Sequence, residues 1–150
     1  MSAIYLPKIL RVGAGSSREL PQLLAELGLA SPLLVTDPFI VKCGYLDRVT
    51  EPLALASINF GVFAESVPDP TTDSVSAGVN HWRRGRYDCV VAIGGGSSID
   101  TAKAVAVLAR HGGEMRDYRS PAAVPPGYPI IAIPTTAGTG SEATRVTVIT

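Results

Sequence analysis

Three glycines and two serines, Gly94-Gly-Gly-Ser-Ser98, stand between an apolar run, Asp88 to Ile93, and an alanine-rich run that opens Ile99-Asp-Thr-Ala-Lys103. Residues without Cβ atoms let a backbone come close to an oxyanion. The amides of a helix starting at the serines would point at that anion with the positive end of the dipole. Gly94, Gly95, Gly96, Ser97 and Ser98 therefore have the makings of a phosphate cradle, while a plain strand-to-helix turn is the alternative for the glycines alone.

Ser97 and Asp100 stand at capping-box spacing, so Asp100 is expected to bond the start of the helix. Lys103 lies a turn further in, and long helical side chains lean toward the N-terminus, which directs its ammonium toward the anion. A solvated lysine is the other reading. A second small loop, Pro134-Thr-Thr-Ala-Gly-Thr-Gly-Ser141, offers hydroxyls and exposed amides to phosphate or ribose oxygens. Asp37 follows another apolar run, Leu33 to Thr36. It can cap a helix with Pro38 in the first position, or accept from a ribose diol and so repel the extra phosphate of NADP; the two roles are compatible. Asp69, in the proline-framed loop Val67 to Ser74, occupies a position like that of Asp37.

These groups need strands that end together. Short strands are expected at Ile4–Leu6 and Ile9–Val12 as a hairpin around Pro7, then at 33–36, 58–63, 88–93, 130–133 and 145–150. Helical spacing marks Leu20, Leu23, Leu24 and Leu27, capped by Ser16 or Ser17 and stopped by Gly28. Further helices are expected from Tyr45 to Ser57 despite Pro52, from Val75 to Arg84, and from Ser98 to His111. The last has few polar positions and should be buried on more than one side. Residues 113–129, rich in proline, read as a surface connection. Alternating strands and helices imply an α/β architecture, a mostly parallel Rossmann-like sheet flanked by helices with the N-terminal hairpin added.

The chain has 150 residues, the size of one domain, and no formal net charge. Neither a nucleic acid nor a membrane surface is an expected partner. The mean hydropathy is +0.25, and only 17% of residues are charged against roughly 25% in typical soluble domains, so some apolar surface is free for a partner. Two cysteines, Cys43 and Cys89, give neither a disulfide framework nor a zinc cluster. With no secretion signal or membrane span in the sequence, a reducing cytoplasm is the expected setting. His81 and His111 read as structural, the latter as a dipole partner at a helix end.

Gly94 to Lys103 together with Pro134 to Glu142 resembles the iron-containing (group III) alcohol dehydrogenases, and Val35-Thr-Asp37 and Val67-Pro-Asp-Pro-Thr71 match in order and spacing. The resemblance covers essentially the whole chain. It implies a dinucleotide-binding domain over residues 1–150, ending inside a final strand, without the family's C-terminal helical metal domain. Gly95, Gly96, Ser97 and Ser98 would then hold a pyrophosphate, and Thr135, Thr136 and Thr139, with Ser141 beside them, would line the adenosine and phosphate side. Asp37 would favour NAD over NADP. Asp69, commonly Asn in the family, and Lys103 complete the cofactor set, and Asp100 would lie toward the nicotinamide and the substrate.

The family's metal ligands, one Asp and three His, lie in the helical domain. Hence neither a catalytic residue nor a metal ligand is assigned in this chain. The resemblance further implies a small alcohol or aldehyde substrate, a divalent metal such as Fe2+ in the parent enzyme, and a homo-oligomer. On its own the chain is expected to bind cofactor weakly or not at all and to have no turnover. The competing readings are a free-standing nucleotide-binding or oligomerisation module, and a relative such as glycerol dehydrogenase, glycerol-1-phosphate dehydrogenase or dehydroquinate synthase.

Overall fold

The architecture follows from the alternation of side chains in two strands. In the computed structural model, which describes residues 7–119, 123–144 and 147–150, the strands β1 (Pro32–Val35) and β3 (Cys89–Gly94) lie side by side and parallel. Both are buried along their whole length. Leu33, Val35, Val90 and Ala92 enter one core, while Leu34, Cys89, Val91 and Ile93 enter another, as the two-residue period of a strand requires. A strand apolar on both faces is wanted in the middle of a sheet covered on both sides.

Two further strands, β2 (Gly61–Phe63) and β4 (Ile130–Pro134), flank them in the order β2-β1-β3-β4, every pair parallel. One face is covered by α1 (Leu20–Leu27), α2 (Pro38–Lys42) and α3 (Asp47–Leu55), which contribute Leu20, Leu24, Ile40, Val49 and Leu53. The other is covered by α4 (Thr72–Arg84) and α5 (Gly96–His111), with Phe63, Val75, Trp82, Ile99 and Val105 in the core. Each fully buried side chain of this size contributes about 1.5–3 kcal/mol. Helices α4 and α5 pack closely because Gly78 has no Cβ; one built there would lie 2.7 Å from Val105 Cγ2.

The expected elements are found with four differences. Residues 9–12 carry no strand, and Ile4–Leu6 lies outside the described residues. Leu10 and Val12 are exposed, and no strand among the described residues covers them. Neither Ser16 nor Ser17 caps a helix: the segment begins as a 3-10 turn (Ser16–Glu19) after Gly15 in a left-handed conformation, and Pro21 sits in the first turn of α1. Residues 58–60 precede β2 instead of extending it. Among the described residues of 145–150 no strand forms, because 147–150 bonds a loop and a helix in place of the sheet. Thr150 N donates to Pro70 O (2.8 Å) and Thr72 N to Thr150 O (3.0 Å).

Candidate functional site

The strand order reverses between β1 and β3: the chain leaves β1 toward β2 on one side and places β3 and β4 on the other. In such sheets the crevice outside the carboxyl ends at that point is where ligands collect. Here it is flanked by Asp37 after β1 and by Gly94, Gly95 and Gly96 after β3. Asp37 caps α2 as its local chemistry foretold, Oδ1 accepting from Phe39 N (2.9 Å) and Ile40 N (3.0 Å). Its Oδ2 accepts from Ser98 Oγ at 3.1 Å.

Helix α5 starts at Gly96, behind Gly95 as N-cap, and no side chain caps it. A helix of sixteen residues thus presents its first amides with no capping acceptor, the arrangement that suits an anion. Gly94 has φ 142°, open to glycine alone, and a Cβ on it would lie 2.7 Å from Ser98 Oγ. The loop after β4 closes on this turn. Thr135 N donates to Gly94 O (2.9 Å), a Cβ on Gly95 would lie 3.2 Å from Thr136 Oγ1, and one on Gly96 would lie 3.1 Å from Thr139 Cγ2 and 3.2 Å from Ser141 Oγ. Thr135, Thr136 and Thr139 are exposed and Ser141 is buried.

A cleft of about 240 Å³ opens beside the helix start, lined by Gly96, Ser97, Asp100, Thr139 and Ser141, and by Asp69, Pro70, Val148 and Thr150. Asp69 is in the left-handed region at φ 50°, a conformation that Asp and Asn tolerate better than other side-chain-bearing residues. Pro70, Val148 and Thr150 escaped the sequence reading, since only the pairing of 147–150 with the 69–72 loop brings them here.

Asp100 does not cap α5 as its spacing suggested. The helix begins at Gly96, so Ser97 already lies inside it and no box can form there; Asp100 Oδ2 instead accepts from Val148 N (3.2 Å), and its carbonyl accepts from Thr147 Oγ1 (3.2 Å). Its buried Oδ1 has no hydrogen-bond partner, and Lys103 Nζ stands 3.6 Å from it. The lean of Lys103 carries it to Asp100 and to Thr144 Oγ1 (3.2 Å). Burial holds its pKa below the usual lysine value, against the opposing charges of Asp100 and Glu142.

The two histidines stand elsewhere. His81 lies between the rings of Phe63 and Tyr87, and His111 Nε2 is 2.9 Å from Pro126 O at the far end of α5. Among the described residues no three His, Cys, Asp or Glu side chains gather to hold a metal ion, and no helix is long and apolar enough to cross a membrane.

The chain matches the family model described as iron-containing alcohol dehydrogenase over residues 7–150. It is similar to the NAD-dependent methanol dehydrogenase of Bacillus methanolicus, 38% identical over 151 residues, covering 100% of this chain and 40% of that protein. Choline dehydrogenase of Bacillus subtilis is 40% identical over 149 residues, covering 97% of this chain and 37% of its own length. The crystal structure of sulfoacetaldehyde reductase from Bifidobacterium kashiwanohense in complex with NAD+ superposes with a TM-score of 0.90 at 34% identity, over 100% of this chain and 40% of that one. The chain therefore spans about two fifths of the length of these relatives.

Proposed function

The chain belongs to the iron-containing alcohol dehydrogenase family, and from that premise we propose that residues 1–150 form the dinucleotide-binding domain of an NAD-dependent alcohol dehydrogenase. The observation that carries this reading is the uncapped start of α5 at the switch point, facing the threonine loop across Gly95 and Gly96. Amides of Gly96, Ser97 and Ser98 receive the pyrophosphate, with Ser97 Oγ as a further donor, and Thr135, Thr136, Thr139 and Ser141 line the phosphate and adenosine side. Asp37 faces the ribose, which favours NAD over NADP. Asp69 and Asp100 frame the cleft toward the nicotinamide, with Lys103 paired to Asp100.

A parent enzyme of this kind moves hydride between a small alcohol or aldehyde and the nicotinamide, and the family's divalent metal supplies Lewis-acid polarisation of the alcohol oxygen. His81 and His111 do not fit that metal, one being held between aromatic rings and the other at a carbonyl at the end of α5. The residues around the start of α5 and the threonine loop bind and orient the cofactor. A homo-oligomeric parent in a reducing cytoplasm belongs to the same reading, with which the unpaired Cys43 and Cys89 agree.

The test is to titrate the purified chain with NAD and then add an alcohol. Weak, saturable binding without NADH production is expected. NADH formed by the chain alone would overturn the assignment of the chemical step to residues outside it, and no binding of millimolar NAD by the full-length parent would overturn the cofactor reading.

A further inference from the structure

We propose that Ser98 is a positioning residue for Asp37, and that the hydrogen bond between them sets how strongly the site prefers a free ribose 2′-hydroxyl over a 2′-phosphate. The inference rests on the dinucleotide reading of the site. Its starting point is that Ser98 is only 1% exposed and that its hydroxyl spans the gap between the ends of β1 and β3 to reach Asp37 Oδ2 at 3.1 Å. A hydroxyl committed in this way serves the pyrophosphate through its residue's backbone amide, whereas Ser97 lines the cleft itself.

A carboxylate offers about four acceptor sites. Two on Asp37 Oδ1 are taken by the amides of Phe39 and Ile40, and one on Oδ2 is taken by Ser98. One acceptor remains, on Oδ2. Among the described residues only Ser98 holds that oxygen, so it fixes the direction in which the last lone pair faces. The backbone is built around this bond: a Cβ on Gly94 would come within 2.7 Å of Ser98 Oγ and 3.1 Å of Asp37 Oδ2. A fixed charge with a single open acceptor admits one neutral hydroxyl and repels a phosphate at the same place. Without Ser98 the carboxylate is held only at Oδ1, by the amides of Phe39 and Ile40, and Oδ2 can swing aside, which weakens the attraction and the repulsion together.

The experiment compares NAD and NADP affinities by NMR titration of the chain and its variants. Ser98→Ala removes the bond and leaves the amides of α5 in place; the NAD-over-NADP ratio is expected to fall about fivefold, the size expected for one neutral-to-charged hydrogen bond partly compensated by water. Ser98→Thr, which keeps a hydroxyl, retains the ratio. Ser97→Ala weakens both nucleotides alike, so its ratio stays at the wild-type value. An unchanged ratio in Ser98→Ala overturns the proposal alone. Where the unaltered chain binds too weakly to compare, the same variants are read in the full-length parent, and failure of that parent to bind either nucleotide overturns the dinucleotide reading and this proposal with it.

Discussion

The amide of Thr135 donates to the carbonyl of Gly94 at 2.9 Å, and this bond ties the glycine turn after β3 to the threonine loop after β4. Neither loop is a site by itself. Joined, they set exposed threonines and a serine against the uncapped start of a helix, with glycines at the positions of closest approach.

Gly96→Ala tests that closeness. Its new Cβ would lie 3.1 Å from Thr139 Cγ2 and 3.2 Å from Ser141 Oγ, so the loop must give way by a few tenths of an ångström. Stability is expected to fall by about 1 kcal/mol, because the loop is at the surface, while ADP affinity falls about tenfold. Calorimetric melting and an ADP titration check the two halves. Equal ADP affinity in the variant would mean that the gap between the loops is not used by ligand.

Asp100→Ala removes the acceptor that holds Val148 N. The expected result is hydrogen exchange at Val148 faster by about tenfold, as one anchoring bond is lost from a surface segment, with the amides inside β3 unaffected. Exchange at Val148 that stays at the wild-type rate would show that the Asp100 carboxylate does not anchor the 147–150 segment, which its bonds to Pro70, Thr72 and the Asp100 carbonyl then hold.

These two cases mark where the sequence was legible. Asp37 could be read because the cap, its proline and its acceptor amides lie within three residues. The glycine turn could be read because strand, glycines and helix are contiguous. The capping role of Asp100 was not legible for the opposite reason: the helix begins at Gly96, which leaves Ser97 inside it, and the partners Asp100 does take, Thr147 and Val148, are remote in sequence. The same pairing withdrew 147–150 from the expected strand. Lys103 was half legible, its backward lean following from helix geometry and its partner Thr144 from the tertiary fold.

The packing of α4 on α5 gives a prediction about the core. Gly78→Ala improves helix propensity by about 1 kcal/mol, yet drives a Cβ to 2.7 Å from Val105 Cγ2. Overpacking of about 1–3 kcal/mol outweighs the gain, so a lower denaturation midpoint is expected. Adding Val105→Ala should recover much of the loss at the contact, less the cost of the cavity. A midpoint raised by Gly78→Ala alone would contradict the packing described.

Asp88 pins β3 to the start of β1, its carboxylate accepting from Ala30 N (2.7 Å) and Ser31 N (3.0 Å). Burial raises its pKa, but the two amides and the Cys89 thiol outweigh this and leave it below the ordinary value of 3.8. A depressed carboxylate contributes stability that is complete above 3.8 and lost as pH falls through the folded value. Asp88→Asn is therefore expected to cost about 1 kcal/mol at neutral pH, discounted for partial exposure. The difference between the two proteins should close as pH falls below 3.8. A gap that persists in strong acid would show that the carboxylate charge is not what the amides bind.

The central claim is that the start of α5 and the loop after β4 form one phosphate-binding surface, and ADP titrated into the isotopically labelled chain tests it most directly. The amides of Gly95 to Ser98 and of Thr135 to Ser141 are expected to shift together along one saturation curve, with those of Ala30, Ser31 and Asp88, at the opposite ends of β1 and β3, unmoved. Shifts confined to another part of the chain, or none with millimolar ADP added to the full-length parent, would contradict the account.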